Sequence, residues 1–243
     1  MVENKINLVC LAAGAGARLS DSGKIKPLID ICGKSMLERV VLNIFNTGIN
    51  FTFCFLKEHE DNYKLSKIVK KYIPDANFVI IPTITEGPAI TASLASKYID
   101  DNPLIVINCD QIIEGLNWKD FLVFCANYDG VVGTFDSDNL KNSFARTENG
   151  LVVEIREKQK VGEHALNGVH FWKNGLDFLS SVKEMVEAND RYNNEFFIAP
   201  SYTHLIKKGA KIGVYKFDNH FPIGIKEDLE IYKRYLRWKK YIV

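Results

Sequence analysis

A stretch near the beginning of the chain, residues 11–19, combines small side chains with a basic one and reads LAAGAGARL. Glycine has no Cβ and adopts positive φ, so a backbone of this kind can approach a ligand closely. Its N–H groups can bind phosphate oxygens, as helix N-termini and backbone nests do. Arg18 suits bidentate phosphate contact, and Lys26 adds a point charge that can reach a reacting phosphorus. The stretch therefore predicts a phosphate site, with an ordinary turn after a strand as the alternative. The residues expected to line it are Leu11, Ala12, Ala13, Gly14, Ala15 and Gly16.

The spacing of this stretch differs from that of two common phosphate loops. A P-loop would continue with Gly-Lys-Ser/Thr, and no such triplet follows here. A dinucleotide fingerprint would have a third glycine at the position of Leu19 and an acidic residue after the second strand. Both classes of nucleotide site are therefore disfavoured.

Asp110 follows a nearly all-apolar run, residues 103–109, directly. A carboxylate at the end of a central strand is well placed to bind Mg²⁺, which takes one or two carboxylates and completes its shell with phosphates and water. The alternative is an Asp that opens a turn. Together with the glycine-rich stretch, Asp110 predicts a metal site, with Mn²⁺ as a second possible ion.

Glu86 and Gly87 follow the third predicted strand and come directly before Pro88. We expect Gly87 to allow close approach of a flat ring, while the helix behind it offers free N–H donors. A simple turn between strand and helix is an equally good interpretation. Glu86 and Gly87 are therefore candidate nucleotide-binding residues.

A charged run closes a later strand at residues 154–160 and contains Glu157 and Lys158. Such runs usually form a solvated face. In the functional interpretation, Lys158 binds a phosphate and Glu157 binds a hydroxyl or an ammonium group of an acceptor. Asn167 and Gly168, in the next strand, could bring backbone near the same ligand.

The elements that must position these residues alternate between strand and helix in the first half of the chain. This order predicts an α/β fold, a Rossmann-like three-layer α/β/α arrangement around a mostly parallel sheet. Ligands of such sheets bind at the carboxyl ends of the strands, where the glycine-rich stretch and Asp110 both fall. The second half predicts an added antiparallel portion, with a hairpin at residues 148–150. The expected strands are 6–11, 51–56, 78–81, 103–109, 130–135, 144–147, 151–156, 165–172 and 211–217, with an extended piece at 28–31. The expected helices are 36–45 (opened by a Ser35–Glu38 capping box), 61–72, 89–97, 118–126, 176–188, 195–208 and 227–239.

Composition sets broader limits. The chain has 243 residues, and 31 basic against 30 acidic residues give a formal charge of +1, which disfavours nucleic acid or a membrane surface as partner. Five cysteines without a C-x-x-C pair indicate neither a disulfide framework nor a zinc site. With no leader or membrane-spanning run, a cytoplasmic location is expected. We expect a single domain, 1–243, with a nucleotide-binding half at 1–135 and an acceptor-binding half at 136–243.

Taken together, the motifs resemble those of the sugar-phosphate nucleotidyltransferase superfamily, with its MobA-like and cytidylyltransferase relatives. The family pattern is close to L-A-A-G-x-G-[ST]-R-[LM] followed by K-P, which matches residues 11–19 and 26–27. Further matches follow in order at residues 86–89, 108–110, 153–158, 166–169 and 222–229. The resemblance covers essentially the whole chain and implies a nucleotide-diphospho-sugar transferase-like fold.

The resemblance also implies roles. A nucleoside triphosphate would bind with its phosphates on the glycine-rich stretch and Mg²⁺ on Asp110. Arg18 would stabilise the leaving pyrophosphate, and Lys26 would bridge the α-phosphate and the phosphate of a small acceptor. The implied partners are the nucleoside triphosphate and that acceptor, and the chain could form a homo-oligomer.

Three residues depart from the family pattern. Ala17 replaces a Ser/Thr and removes a hydroxyl. Pro222 stands where the closing motif often has the second metal carboxylate, so that ligand would come from Asp228 or Glu195, or the site would bind the metal through fewer protein groups. Pro82 falls where some members have a base-reading Gln, which leaves the nucleotide open. The segment between the acceptor motifs is also short, which favours a small acceptor.

These observations favour a Mg²⁺-dependent nucleotidyltransferase that makes an activated sugar or small phospho-metabolite for a capsule or another surface glycan. One alternative is a cytidylyltransferase for a non-sugar phosphate such as phosphocholine or phosphoglutamine. A second alternative, motivated by Pro222, is a nucleotide-binding subunit without catalytic activity.

Overall fold

A computed structural model of the protein describes residues 5–14 and 24–242. Within these ranges, helices and strands alternate through the first half, and antiparallel strands enter in the second. The strands are β1 (Ile6–Ala12), β2 (Asp30–Ile31), β3 (Lys34–Ser35), β4 (Ile49–Leu56), β5 (Asn77–Ile81), β6 (Leu104–Asn108), β7 (Gln111–Ile113), β8 (Gly130–Phe135), β9 (Phe144–Glu148), β10 (Leu151–Arg156), β11 (His164–Trp172), β12 (Ile212–Lys216) and β13 (His220–Pro222). The helices are α1 (Met36–Ile44), α2 (Lys57–Tyr63), α3 (Leu65–Lys70), α4 (Pro88–Ser93), α5 (Trp118–Cys125), α6 (Gly175–Glu187), α7 (Ile198–Ile206) and α8 (Lys226–Ile242).

The main sheet joins nine of these strands in the order β10-β9-β11-β6-β1-β4-β5, with β8 paired to β11 and β12 paired to β8. The strands β6, β1, β4 and β5 are mutually parallel, and β11 adds to β6 in the antiparallel direction. The predicted α/β fold with a parallel sheet and an antiparallel addition is confirmed. Because β8 of the predicted first half pairs with β12 of the second, one sheet runs through both halves.

Successive residues of β1 explain why its sequence is apolar apart from Asn7. Leu8 and Cys10 belong to one buried cluster, whereas Val9 and Leu11 belong to another. Alternate side chains of a strand point to opposite faces, so both faces of the sheet are covered. This double coverage fixes the central strands and leaves their carboxyl ends as the exposed edge.

The boundary of α1 follows from its capping box. The backbone N–H of Glu38 donates to Ser35 Oγ at 3.2 Å, and the N–H of Ser35 donates to the Glu38 carboxylate at 2.9 Å. These bonds satisfy donors that the first helical turn would otherwise leave free. The predicted start of this helix is therefore confirmed.

The single helix predicted at 61–72 is wrong, because Lys64 adopts φ +53° and divides it into α2 and α3. The N–H of Lys64 donates to the Glu60 carbonyl at 2.9 Å, and the Glu60 carboxylate accepts the N–H of Ser66 at 2.9 Å. One glutamate thus serves both helix ends. The predicted helix at 89–97 also ends earlier, at Ser93, and a short 3₁₀ turn follows at Ser96–Tyr98.

One further expectation fails for a reason outside the local sequence. Residues 195–197 are extended, not helical, because the N–H of Phe196 donates to the Glu86 carbonyl at 2.7 Å and its carbonyl accepts the N–H of Ala89 at 3.0 Å. The extended piece predicted at 28–31 begins one residue later, because Leu28 ends the 3₁₀ turn Lys26–Leu28, while Ile29 is extended and Asp30–Ile31 form β2. Among the described helices, none is long and apolar enough to cross a membrane.

Candidate active site

A cleft of about 620 Å³ opens at the carboxyl ends of the parallel strands. Residues from both predicted halves line it, so the elements that the sequence suggested for nucleotide and for acceptor face one space. Ala15, Gly16 and Arg18 lie outside the described residues. The predicted site residues that line the cleft are Leu11, Ala12, Ala13, Gly14, Lys26, Gly87, Asp110, Glu157, Lys158, Asn167, Gly168 and Asp228.

Lys26 and Asp110 form an ion pair inside this cleft. Lys26 Nζ lies 2.5 Å from Asp110 Oδ2, with 19% of the lysine side chain and 35% of the aspartate side chain exposed. The 3₁₀ turn that begins at Lys26 directs it from one side, and β6 ends just before Asp110. Two residues 84 positions apart in sequence therefore meet where phosphate chemistry was predicted.

Gly224 allows the backbone to pass close to this pair. A Cβ at position 224 would lie 2.8 Å from Asp110 Oδ2 and 3.4 Å from Lys26 Nζ. The first of these distances is shorter than any ordinary contact between heavy atoms that are not hydrogen-bonded. Gly224 therefore belongs to the machinery that holds the pair, although its motif did not identify it as such.

A small two-stranded sheet that the sequence did not predict fixes the residues around Asp110. Within it, β7 pairs with β13, and Pro222 stands opposite Gln111. The N–H of Ile223 donates to the Asp110 carbonyl at 2.8 Å. Pro222, which differs from the family pattern, therefore lies in this small sheet next to Asp110 and contributes no carboxylate there.

The carboxylates of the cleft fit a divalent cation that keeps part of its shell for other ligands. Asp110 and Asp228 both line the cleft, and burial together with the neighbouring Glu227 raises the pKa of Asp228. Across residues 5–14 and 24–242, no three Asp, Glu, His or Cys side chains cluster to hold a metal by themselves. Mg²⁺ and Mn²⁺ accept one or two carboxylates when phosphate oxygens and water complete the shell. The donor set therefore fits a metal that binds with a phosphorylated ligand, and the assignment of Asp110 and Asp228 stays a prediction.

Glu157 lies buried at the other end of the cleft. The Ser143 hydroxyl donates to its carboxylate, while burial raises the pKa of the Glu157 carboxyl above its ordinary value. The next residue, Lys158, places its ammonium over the rings of Phe197 and Tyr192. Glu157 and Lys158 therefore line the cleft, whereas Arg156 and Lys160 of the same charged run are exposed to solvent.

Amide groups form the floor between these two ends. Asn167 Oδ1 accepts the N–H of Val169 at 3.0 Å, but Asn167 Nδ2 and Gln111 Nε2 are buried and have no hydrogen-bond partner among the described residues. Gly168 has φ +81°, and a Cβ there would lie 2.6 Å from Asn108 Nδ2. Two residues of the floor thus have a buried amide donor without an acceptor among the described residues.

Two imidazoles border the same floor in neutral form. Burial lowers the pKa of His220 to about 4 and that of His170 to about 3. A His220 ring nitrogen, Nε2, lies 2.8 Å from Gln111 Oε1, which orients the amide of Gln111. Sequence reasoning missed both histidines and Gln111, because their only signal was a polar residue within an otherwise apolar strand.

The turn at Glu86 and Gly87 packs against the backbone of residue 196. A Cβ on Gly87 would lie 2.5 Å from the Phe196 carbonyl oxygen, so glycine allows this backbone to approach closely, and its role toward a nucleotide stays a prediction. The Glu86 carboxylate accepts a hydrogen bond from Arg191 at 3.0 Å and does not line the cleft. Gly87 itself does line the cleft, beside Thr85.

Comparisons with known proteins identify the family of this chain. The family described as "Nucleotidyl transferase" matches residues 7–234. The bifunctional protein GlmU of Sulfurimonas denitrificans is 29% identical over 164 residues, which are 67% of this chain and 35% of that protein. The chain therefore spans about a third of the length of this curated relative.

Solved structures share the fold at low sequence identity. A nucleoside-diphosphate-sugar pyrophosphorylase from Vibrio cholerae RC9 has a TM-score of 0.81 at 20% identity, covering 94% of this chain and 99% of its own. An inositol-1-phosphate CTP transferase from T. maritima has a TM-score of 0.72 at 16% identity, covering 93% of each chain. A putative glucose-1-phosphate thymidylyltransferase from Bacillus anthracis has a TM-score of 0.75 at 19% identity, covering 96% of this chain and 95% of its own. The resemblance that the motifs indicated is confirmed, and with it the predicted enzyme class: the chain belongs to the nucleotidyl transferase family.

Proposed function

We propose that this chain transfers a nucleoside monophosphate from a nucleoside triphosphate to the phosphate group of a sugar or another small polyol. The observation that carries the proposal is that the Lys26–Asp110 pair, Gln111 and Asn167 line the same cleft, the last two with buried amide donors that have no partner among the described residues. The Lys26–Asp110 end offers charge for phosphates, and the amides of the floor offer donors for hydroxyl groups. The family membership of the chain supports the same reaction type.

In this reaction an oxygen of the acceptor phosphate attacks the α-phosphorus, and the bond from that phosphorus to the β-phosphate oxygen breaks. Pyrophosphate leaves with the electron pair of the broken bond. Positioning and charge stabilisation dominate such transfers, because the protein forms no bond to the reacting atoms. Lys26 Nζ would bind one oxygen of the α-phosphate and one oxygen of the acceptor phosphate. It would stabilise the negative charge that develops around the α-phosphorus. Arg18 is proposed to stabilise the departing pyrophosphate.

A divalent cation completes the charge balance of the proposal. The described lining carries three lysines against four carboxylates, so it cannot by itself neutralise a triphosphate. A Mg²⁺ or Mn²⁺ ion held by Asp110, with Asp228 as the second candidate, would act as a Lewis acid on the phosphates. The lining charges are Lys26, Lys141, Lys158, Asp110, Glu157, Glu195 and Asp228.

The floor of the cleft favours a hydroxyl-bearing acceptor over a quaternary ammonium. Asn167 Nδ2 and Gln111 Nε2 are donors, and a buried donor without a partner costs free energy until an oxygen accepts from it. A trimethylammonium group has no lone pair to offer, and the aromatic rings that could attract it already hold Lys158. The inositol and glucose phosphates in the printed names of two fold relatives carry hydroxyls of the required kind. We therefore place a sugar or polyol phosphate ahead of phosphocholine.

The wider setting of the reaction is also part of the proposal. By its resemblance to the sugar-phosphate nucleotidyltransferases, we assign the product to the assembly of a capsule or another surface glycan, made in the cytoplasm. The alternative of a subunit without activity rests on Pro222, which leaves Asp110 without a carboxylate beside it.

A pyrophosphate-release assay tests the proposal. The four nucleoside triphosphates are combined, with Mg²⁺, with sugar 1-phosphates, inositol 1-phosphate, phosphocholine and phosphoglutamine. We expect release with one nucleotide and a hydroxylated acceptor, and none after Mg²⁺ is removed with a chelator. Release with phosphocholine alone would overturn the acceptor class, and no release with any pair would support the subunit without activity.

A further inference from the structure

The ammonium of Lys158 lies on an aromatic surface at the edge of the cleft. Its Nζ is 4.7 Å from the ring centroid of Phe197 and 5.3 Å from that of Tyr192. The two rings are 6.4 Å apart with an interplanar angle of 68°, so one presents its edge to the face of the other. Both distances from Nζ are within the range of cation–π attraction.

The segment that carries the two rings is anchored by backbone hydrogen bonds. Tyr192 and Glu195 exchange N–H to carbonyl bonds of 3.0 Å across a turn whose central residues, Asn193 and Asn194, have φ +49° and +63°. Two consecutive positive φ values are those of the tight turn that joins hairpin strands. The Phe196 N–H then donates to the Glu86 carbonyl at 2.7 Å. The rings therefore sit on a fixed segment and are not carried by a free loop.

Lys158 keeps its charge available. No carboxylate among the described residues lies within 4.0 Å of its Nζ, although buried Glu157 precedes it in sequence. Both Lys158 and Phe197 line the cleft. A lysine side chain has four rotatable bonds and loses much rotamer freedom when it is held in one place. An attraction that holds the ammonium without neutralising it prepares this charge for an anionic ligand.

We propose that Phe197 and Tyr192 are positioning residues, which hold the Lys158 ammonium at the acceptor end of the cleft to bind a phosphate oxygen. The phosphate in question is that of the acceptor, so this inference rests on the proposed function. Cation–π attraction of 0.5–1 kcal/mol at a partly exposed site corresponds to about a two- to fivefold change in affinity.

Nuclear magnetic resonance of the ¹³C-dimethylated lysines tests the proposal on the whole chain, with inorganic phosphate as the probe. The Lys158 signal is identified by its loss in Lys158→Gln. In the wild type, ring currents should displace this signal from those of exposed lysines. In Phe197→Leu it should return toward them, and the phosphate affinity read from it should weaken about two- to fivefold. Phe197→Tyr should restore both.

A second lysine–aromatic contact, outside the cleft, provides a matched control. Lys97 Nζ lies 4.6 Å from the Tyr98 ring centroid, and neither residue lines the cleft. Tyr98→Leu should move the Lys97 signal and leave the phosphate affinity unchanged. If Phe197→Leu fails to fold, Tyr192→Leu at the more exposed ring serves instead.

A Lys158 signal at the position of exposed lysines in the wild type would overturn the proposal. An unchanged signal in Phe197→Leu, or a moved signal with unchanged phosphate affinity, would also overturn it. These measurements require no transfer reaction. Absence of turnover with every nucleotide and acceptor would therefore refute the proposed function without deciding the role of the rings.

Discussion

The two ends of the cleft each hold a lysine near a carboxylate, but the two pairs are built differently. Lys26 Nζ is 2.5 Å from Asp110 Oδ2, so its charge is matched within the protein. Lys158 follows Glu157 in sequence but lies on the rings of Phe197 and Tyr192, and no carboxylate of the described residues lies within 4.0 Å of its ammonium. The first lysine must exchange a partner to contact phosphate, whereas the second is free to contact it directly. The difference suggests that the first end takes part in the reaction and the second selects and orients the acceptor.

Of the substitutions that test this difference, replacement of Lys26 should reduce turnover the most. Lys26→Ala removes the proposed contact to the phosphates in the transition state, and loss of one preorganised charged donor lowers turnover by about 10²- to 10³-fold. Pyrophosphate release measures the effect. Lys57→Ala is the control, because it breaks an exposed ion pair with Asp61 outside the cleft. Equal turnover of Lys26→Ala and Lys57→Ala would show that Lys26 takes no part in the transfer.

The second prediction concerns the partner of Lys26. Asp110→Asn keeps the shape but removes the negative charge that would hold Mg²⁺, so turnover should fall about 10²-fold. The dependence of the rate on Mg²⁺ concentration should shift upward at the same time. Asp120→Asn, at the exposed start of α5, is the control. A wild-type Mg²⁺ profile in Asp110→Asn would show that the metal binds elsewhere.

Separating the two members of the pair should have an intermediate effect. Gly224→Ala places a Cβ 2.8 Å from Asp110 Oδ2, which pushes the carboxylate away from Lys26. Misplacing reacting groups by a fraction of an ångström is expected to reduce turnover about tenfold. Thermal unfolding of the variant distinguishes this effect from loss of the fold. Unchanged turnover would mean that the geometry of the pair does not matter for the reaction.

In the floor of the cleft, replacement of Asn167 should have a smaller effect, which is confined to binding of the acceptor. Asn167→Ala removes a donor to a hydroxyl, and a neutral hydrogen bond of 0.5–1.5 kcal/mol corresponds to about a two- to twelvefold rise in the acceptor KM. The KM for the nucleotide should not change. Asn127→Ala, on the surface beyond α5, provides the control. An equal rise in both KM values would contradict a separate acceptor end.

The smallest predicted effect is on stability. Burial raises the pKa of Glu157 above 4.5, so the folded state holds this proton more tightly than the unfolded state. The penalty of burying the charged carboxylate is absent below the unfolded pKa and fully present above the folded pKa. Glu157→Gln should therefore gain stability relative to the wild type as the pH rises from about 4 to 7. Urea unfolding at several pH values measures the difference in unfolding free energy between Glu157→Gln and the wild type. A gain of the variant that shrinks as the pH rises over this range would contradict the burial of the charge.

The sequence predicted the framework because local signals and burial agree there. The run that forms β6 is apolar on both faces, and the Ser35–Glu38 capping box fixes the start of α1 within four residues. Strand ends and their motifs then placed Asp110 and the glycine-rich stretch at one edge. This part of the site needed only topology, since parallel strands bring their carboxyl ends together.

The sequence could not predict what depends on distant backbone pairing. Residues 195–197 have helical character locally, but two hydrogen bonds to the turn at residues 86–89 hold them extended. The same contact explains why Gly87 meets the Phe196 backbone. The pairing of β7 with β13 and the position of Tyr192 over Lys158 also join residues far apart in the chain, without a local motif. The first and last of these contacts involve the segment at residues 192–197, and the β7–β13 pairing fixes the surroundings of Asp110.

Following two radioactive labels through one reaction tests the central claim most directly. The nucleoside triphosphate is supplied once with ³²P at the α-position and once at the γ-position, with Mg²⁺ and the acceptor panel. We expect the α-label to enter the organic product and the γ-label to appear in pyrophosphate, and Lys26→Ala to slow both by about 10²- to 10³-fold. Transfer of the γ-label to the acceptor, or its release as inorganic phosphate while the α-label stays in a nucleoside diphosphate, would contradict nucleotidyl transfer in this cleft.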